Sequence, residues 1–206
     1  MVHSLKKALE YRGCPICQML DKDEYDFMCR FQYQTIKEDK VRQDLISSNG
    51  YCNFHFYEMA RLTSPMANAI VAKDLLDREI REMEEGLLPS VGRNDCPVCR
   101  YVRQREDCCL QEFQSLLPEK SFQEEYERTD GLCRIHLKRI LSLLEGNELG
   151  QFLLRTQVEQ LKQLRLELEE SLGQGGTTLQ ERSRGKKAWW IAIKKRAGKK
   201  GLKDPE

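Results

Sequence analysis

The feature that most constrains this chain is a pair of cysteine motifs that occurs twice. The first motif, Cys-Pro-x-Cys, stands at residues 14–17 and again at residues 96–99. The second, Gly-x-Cys-x-x-His, stands at residues 50–55 and again at residues 131–136. The two displacements differ by a single position, and the sequence after the motifs keeps the second register. We therefore interpret the chain as a duplicated unit of about eighty residues.

Apolar residues recur at helical spacing along both repeats, which predicts an all-α fold. Long helices are expected over residues 66–87 and 148–172. Pro15 and Pro97 directly follow a cysteine, and proline suits the first turn of a helix. Few segments alternate with a period of two, so no substantial sheet is expected.

The repeats predict three consecutive parts. Residues 1–91 form a first helical repeat, residues 92–172 a second, and residues 173–206 a linker with a basic tail. The linker is expected over residues 173–185, which are rich in glycine, threonine, serine and glutamine.

The two motifs of each repeat together contain three cysteines and one histidine in an order that suits a metal ion. A CxxC places two thiolates close together, and a CxxH on a helix places both side chains on one face. Together they make a Cys3His set, which is a known structural zinc combination. The chain has only three histidines, and two of them occupy matching positions. We therefore predict two zinc ions, one closing each repeat. The predicted ligands are Cys14, Cys17, Cys52 and His55 for the first ion, and Cys96, Cys99, Cys133 and His136 for the second.

Several alternatives to this ligand assignment stay open. The two CxxC motifs could share one ion and the two CxxH motifs the other. Iron–sulfur clusters usually take four cysteines, although histidine ligation occurs, and Cys-Pro dipeptides also occur in haem-responsive proteins. A CxxC can be a redox dithiol, but thioredoxin-like chemistry needs a βαβ context that this pattern lacks. The thiols and imidazoles could also be ordinary core residues. Cys29, Cys108 and Cys109 have no matching cysteine and are predicted to be packing residues or free thiols.

The tandem motifs resemble an uncharacterised bacterial family of all-helical proteins in which CPxC is followed by GxCxxH. The resemblance covers about residues 10–172 and excludes the basic tail. It rests on Cys14, Pro15, Cys17, Gly50, Cys52 and His55 and on their counterparts in the second repeat. It implies that the repeat is a genuine structural module, and it implies no activity.

The charges separate an acidic body from a basic tail. Residues 182–203 contain ten lysines and arginines and no acidic residue, while the remaining chain has 24 basic and 33 acidic residues. The tail also contains both tryptophans. Such a segment can bind nucleic-acid phosphates and stack on bases, lie on an anionic membrane, or dock on the acidic body of the same or another protein. It can also be a disordered end that only adds solubility. The predicted binding residues are Lys186, Lys187, Trp189, Trp190, Lys194, Lys195 and Arg196.

No motif of a major enzyme class is present, since the sequence lacks a P-loop, GxGxxG, HExxH and GxSxG. Four ligands per ion also leave no open position of the kind that catalytic zinc requires. No apolar run is long enough to span a membrane, and the N-terminus does not resemble a signal peptide, so a cytoplasmic location is expected. Whether the protein is an enzyme stays uncertain, with the balance against it. We predict a zinc-binding helical adaptor whose tail binds nucleic acid or another polyanion. The alternative is a thiol- or metal-based sensor.

Overall fold

The computed structural model describes residues 4–87, 96–173 and 179–201, and these residues form ten helices and no strand. This confirms the predicted all-α class. The helices are α1 (Leu5–Ala8), α2 (Pro15–Lys37), α3 (Asp39–Ser47), α4 (Asn53–Leu62), α5 (Pro65–Glu84), α6 (Pro97–Leu116), α7 (Lys120–Glu127), α8 (Arg134–Leu143), α9 (Glu148–Gly173) and α10 (Leu179–Ala197). Among them, none combines the length and the apolar character that a membrane span needs.

The order of the helices recurs along the chain. A long helix that begins at proline is followed by two short helices and a second long one, first in α2–α5 and then in α6–α9. The long helices predicted over residues 66–87 and 148–172 are present as α5 and α9. This order agrees with a duplicated unit, which remains an inference from the sequence register.

Both CxxH motifs start a helix in the same way. Cys52 and Cys133 are N-cap residues with nearly equal backbone angles, φ −68° and ψ 164° for Cys52 and φ −71° and ψ 164° for Cys133. Each lies two positions after a glycine in the left-handed region, with φ 75° at Gly50 and φ 73° at Gly131. Glycine is favoured there because a Cβ atom would be strained, and at Gly50 it would also lie 2.8 Å from the Phe56 ring.

Contacts between Cα atoms group the chain into two compact units. Unit 1 comprises Met1–Lys22 and Glu106–Glu206, and unit 2 comprises Asp23–Arg105. Helices α2 and α6 each contribute residues to both units. The division predicted from the repeats follows chain order, whereas unit 1 is discontinuous, because each of these long helices continues past the unit in which it begins.

The apolar core of unit 1 is aromatic at its centre. Phe113 is fully buried and makes edge-to-face contacts with Phe122 and Tyr126, with ring centroids 5.4 and 5.5 Å apart. Unit 2 has a smaller core around Met28 and Met59. Unit 1 therefore has the larger apolar core of the two.

Most of the basic tail lies in α10, which packs on α9 within unit 1. Ala188 and Ile191 of α10 are buried against Leu164 of α9. The linker predicted over residues 173–185 is helical from Leu179 onward, and residues 174–178 lie outside the described part of the chain.

Candidate metal centres

The first candidate metal centre lies in unit 1, where the start of α2 meets the start of α8. Cys14 precedes α2 and Cys17 stands in its first turn, while Cys133 caps α8 and His136 stands in its first turn. The His136 Nδ1 atom lies 3.3 Å from the Cys14 sulfur, 3.4 Å from the Cys17 sulfur and 3.3 Å from the Cys133 sulfur. All four side chains are buried.

The second candidate centre lies in unit 2 and has the same composition. The His55 Nδ1 atom lies 3.1 Å from the Cys52 sulfur, 3.4 Å from the Cys96 sulfur and 3.3 Å from the Cys99 sulfur. Cys52 and Cys99 are partly exposed, whereas His55 and Cys96 are buried. This centre is therefore the more accessible of the two to solvent.

Both clusters have the dimensions of a tetrahedral site for one ion. Bond lengths of about 2.3 Å to sulfur and about 2.0–2.1 Å to nitrogen imply edges of about 3.8 Å between sulfurs and about 3.5 Å between sulfur and nitrogen. The sulfurs of Cys17 and Cys133 are 3.7 Å apart, and those of Cys52 and Cys99 are 3.6 Å apart. A disulfide would need about 2.0 Å. Each group of four ligand atoms lies within 4.8 Å, so each could hold a metal ion.

The predicted combination of ligands is wrong, although the eight residues fall into two Cys3His groups. The structure groups the CxxC of each repeat with the CxxH of the other repeat. The four-residue groups are Cys14, Cys17, Cys133 and His136, and Cys52, His55, Cys96 and Cys99. The alternative that placed both CxxC motifs at one ion is wrong as well.

Helix length explains the exchange of partners, and chain entropy opposes it only weakly. Helix α2 has 23 residues, so it carries the chain about 35 Å away from its CxxC before the CxxH of the same repeat begins. The loop that joins Cys17 to Cys133 is roughly three times as long as the one that would join Cys17 to Cys52. Because the entropy of loop closure grows only logarithmically with length, the longer loop costs only about 1 kcal/mol more. Tertiary packing easily outweighs that difference.

Two carboxylates that the motifs did not predict contact the histidines. His55 Nε2 lies 3.0 Å from a Glu24 carboxylate oxygen, and His136 Nε2 lies 3.1 Å from a Glu106 carboxylate oxygen. A carboxylate that accepts this hydrogen bond fixes the tautomer, leaving Nδ1 free to bind a metal. The signal was in the sequence, because Glu106 follows Glu24 at the same displacement that relates the two CxxC motifs.

The surroundings of the two carboxylates differ. Glu106 is buried and accepts a charge-assisted contact of 2.5 Å from the Arg139 guanidinium, which also contacts Asp107 at 2.8 Å. At the displacement that relates the two CxxH motifs, the position of Arg139 is occupied by Glu58. The arginine that supports the unit 1 carboxylate thus has an acidic counterpart in unit 2.

The acid–base properties of the clusters favour one thiolate beside one protonated imidazole. Burial by itself lowers the pKa of His55, but hydrogen bonds with Cys96 and Glu24 outweigh it and raise that pKa to about 10. The hydrogen bond with Cys99 is the main reason that the pKa of Cys96 falls to about 3. The thiolate charge likewise raises the pKa of His136 against the effect of burial. Metal ligands must lose such protons on binding, so metal affinity is expected to fall as pH falls.

We expect Glu106→Gln to weaken metal binding in unit 1 by about 10- to 100-fold. The amide keeps the size of the side chain but removes the charge that orients His136. Competition with a fluorescent zinc chelator would measure the loss. The control is Glu124→Gln, which alters an exposed acid on α7. Unchanged affinity in Glu106→Gln would show that the carboxylate does not tune the site.

The residues predicted to bind a polyanion through the tail have different surroundings. Lys195 is buried and donates to the carbonyl oxygens of Asp130 and Leu132, 2.9 Å away for Leu132, and burial lowers its pKa to about 8.

Trp189 and Trp190 are 46% and 49% exposed. Lys194 lies 5.9 Å from the Trp190 ring centroid, and Arg196 is exposed. Lys186 and Lys187 lie on α10, and their side chains are outside the described part of the structure.

Comparison with known proteins gives a partial match. A family described as "Family of unknown function (DUF6062)" matches residues 5–92, which is less than half of the chain. No curated protein and no solved structure matches the chain significantly. The match agrees with a resemblance to an uncharacterised family, but it says nothing of a bacterial origin. The matched range contains the CxxC of one cluster and the CxxH of the other, and so completes neither.

Proposed function

We propose that this protein is a helical interaction protein in which each Cys3His cluster binds one structural zinc ion. The observation that carries the proposal is the convergence of three sulfurs and one imidazole nitrogen, twice, at the spacing of a tetrahedral site. Soft sulfur and nitrogen ligands in this geometry suit zinc. An iron–sulfur cluster places several iron and sulfide ions between its ligands and would hold them farther apart.

The closed ligand sets support a structural role. Catalytic zinc keeps one coordination position for water or substrate and usually has three protein ligands. Here four protein ligands converge, and in unit 1 all four are buried. Each ion would join two segments of one unit that are far apart in the sequence, and would therefore act as a crosslink. We place the protein in a reducing compartment such as the cytoplasm, where thiols of this number remain reduced.

Metal analysis tests this proposal directly. The chain would be purified without added metal and its metals quantified by mass spectrometry beside a visible absorption spectrum. We expect two zinc ions per chain and no absorbance above the ultraviolet. A brown or red protein that contains iron would contradict the assignment. So would a metal-free protein that remains fully folded.

We further propose that the outward side of α10 binds single-stranded nucleic acid. Trp189, Trp190 and Ile193 are all close to half exposed, and Arg196 lies nearby on the same helix. Exposed aromatic rings beside cations can stack on bases while the cations neutralise phosphates. Lys195 is excluded from this surface because it points into unit 1.

Binding to a fluorescent single-stranded oligonucleotide tests the α10 proposal. We expect measurable affinity that falls with rising salt. Trp189→Ala with Trp190→Ala should weaken binding by at least about tenfold, since each stacked base contributes about 1–3 kcal/mol. Tyr33→Ala, at another exposed aromatic residue, serves as the control. Binding to anionic vesicles and not to the oligonucleotide would identify a membrane surface and reject this proposal.

The partial exposure of Cys52 and Cys99 favours one alternative function, a thiol-based sensor. Exposed zinc thiolates are open to oxidation, which would release the ion from unit 2. Mild peroxide treatment distinguishes the two functions. Selective, thiol-reversible loss of one ion supports the sensor, whereas retention of both ions supports a purely structural role.

A further inference from the structure

Two long helices, α5 and α9, follow the two CxxH helices and correspond in register. Residues of the two helices are paired by the same displacement that relates the two CxxH motifs. Residues spaced by three and four positions lie on one side of a helix, so one side of each helix can be compared. The corresponding pairs are Ile80 and Leu161, Met83 and Leu164, and Leu87 and Leu168, of which Leu87 lies just beyond the end of α5.

In unit 1 α10 covers part of this side of α9, at Leu164 and Leu168, while Leu161 is 46% exposed. Leu164 is only 5% exposed, because Ala188 and Ile191 pack over it. Leu168 and Ala192 extend the same contact. Helix α10 thus contacts α9 through a small and a branched apolar side chain, Ala188 and Ile191, which are one helical turn apart.

In unit 2 the corresponding side of α5 is apolar and exposed. Ile80 is 52% exposed, Met83 53% and Leu87 56%, and Leu76 one turn earlier is 56% exposed. We call these four residues the α5 face. Val71 of the same helix packs on the unit 2 core, so α5 is held in place while this side meets solvent. Met83 and Leu87 are therefore exposed, whereas their counterparts Leu164 and Leu168 pack under α10.

The charge on α5 identifies the kind of helix that would fit. Helices α5 and α9 each contain three basic and five acidic residues. Helix α10, which covers α9, contains seven basic residues and one acidic residue. An acidic helix that presents an apolar stripe suits a basic amphipathic partner, since opposite potentials steer association and set the choice of partner.

We propose that the α5 face binds a basic amphipathic helix of a partner protein, packed as α10 packs on α9. The partner helix would carry alanine or isoleucine at positions i, i+3 and i+4, flanked by lysine or arginine. This is the pattern of Ala188, Ile191, Ala192 and their basic neighbours. Helix-in-groove recognition uses such anchors. The acidic character of α5 opposes binding to an anionic membrane.

A peptide that carries the α10 sequence is the probe. A fluorescein-labelled peptide of residues 185–200 would be added to the full-length, metal-loaded chain and followed by fluorescence anisotropy. We expect saturable binding at one peptide per chain. Ile80→Glu with Met83→Glu should weaken it by about tenfold or more, because charges would then be buried at the centre of the contact. Both positions are half exposed, so these changes leave the fold intact.

Two controls make the experiment specific. Tyr33→Glu with Tyr57→Glu changes two exposed aromatic residues of unit 2 outside α5 and should leave the affinity unchanged. A peptide with its lysines replaced by glutamate should not bind.

Three results would overturn the proposal. One is the absence of peptide binding. Another is binding that the α5 double substitution does not weaken, because the peptide then occupies another surface. The third is sedimentation of the wild-type chain as a dimer that Ile80→Glu dissociates, which would assign the α5 face to self-association.

Discussion

Substituting Cys133 by serine is expected to remove one of two zinc ions and to loosen a distant part of the chain as well as its own helix. In the observed grouping, Cys133 shares its cluster with Cys14 and Cys17. Amide hydrogen exchange should therefore accelerate in the first turns of α2 as well as in α8. Structural zinc sites contribute about 10–16 kcal/mol in small peptides, so the loss of one ligand should have a large effect on unit 1.

The reciprocal variant makes this test decisive. Cys52→Ser should remove the other ion and accelerate exchange at the start of α6, near Cys96 and Cys99. The first turns of α2 should remain protected. Cys29→Ser, outside both clusters, should retain two ions. If Cys52→Ser exposed the first turns of α2 instead, the ligands would be combined within each repeat and the observed grouping would be wrong.

Stepwise chelation is expected to remove the unit 2 ion first and to unfold unit 2 before unit 1. Cys52 and Cys99 are partly exposed, whereas every ligand in unit 1 is buried. Among the described residues, the core cluster of unit 1 has twenty buried members and that of unit 2 has six. Helix α5 of unit 2 has no buried residue at all. We therefore expect the stability of unit 2 to depend more strongly on a bound metal ion.

Zinc content, helical circular dichroism and hydrogen exchange, measured together during the titration, check this order. The first ion lost should coincide with loss of protection in α3–α5 and at the start of α6, while Phe113 and its neighbours keep the end of α6 and α7 protected. Removal of the second ion should leave a partly helical unit 1 rather than an unfolded chain. Restoring zinc should recover both phases. Release of the buried ion first, or uniform unfolding in one step, would contradict this account.

The sequence alone determined the helical class, the approximate extent of α5 and α9, and the eight residues that make up the two Cys3His sets. All of these depend on local physics. Helical periodicity, proline at a first turn and glycine before an N-cap act over a few residues. The i, i+3 spacing of Cys52 and His55 fixes their shared face whatever the rest of the chain does.

The correspondence between Glu24 and Glu106 could also have been predicted from the sequence, because the two glutamates are separated by the same displacement as the two CxxC motifs. They were missed because glutamates are common on solvated helices, and only the distance to an imidazole distinguishes these two. Their role became visible once each was placed beside the histidine of its own cluster.

Only the tertiary structure decided which half-sites join. Both CxxC motifs are chemically equivalent, as are both CxxH motifs, so ligand chemistry cannot choose among the combinations. Chain entropy disfavours the longer closure by only about 1 kcal/mol, which is too little to decide. The packing of long helices decides instead, and the same packing buries Lys195 and covers α9 with α10 while the α5 face stays exposed.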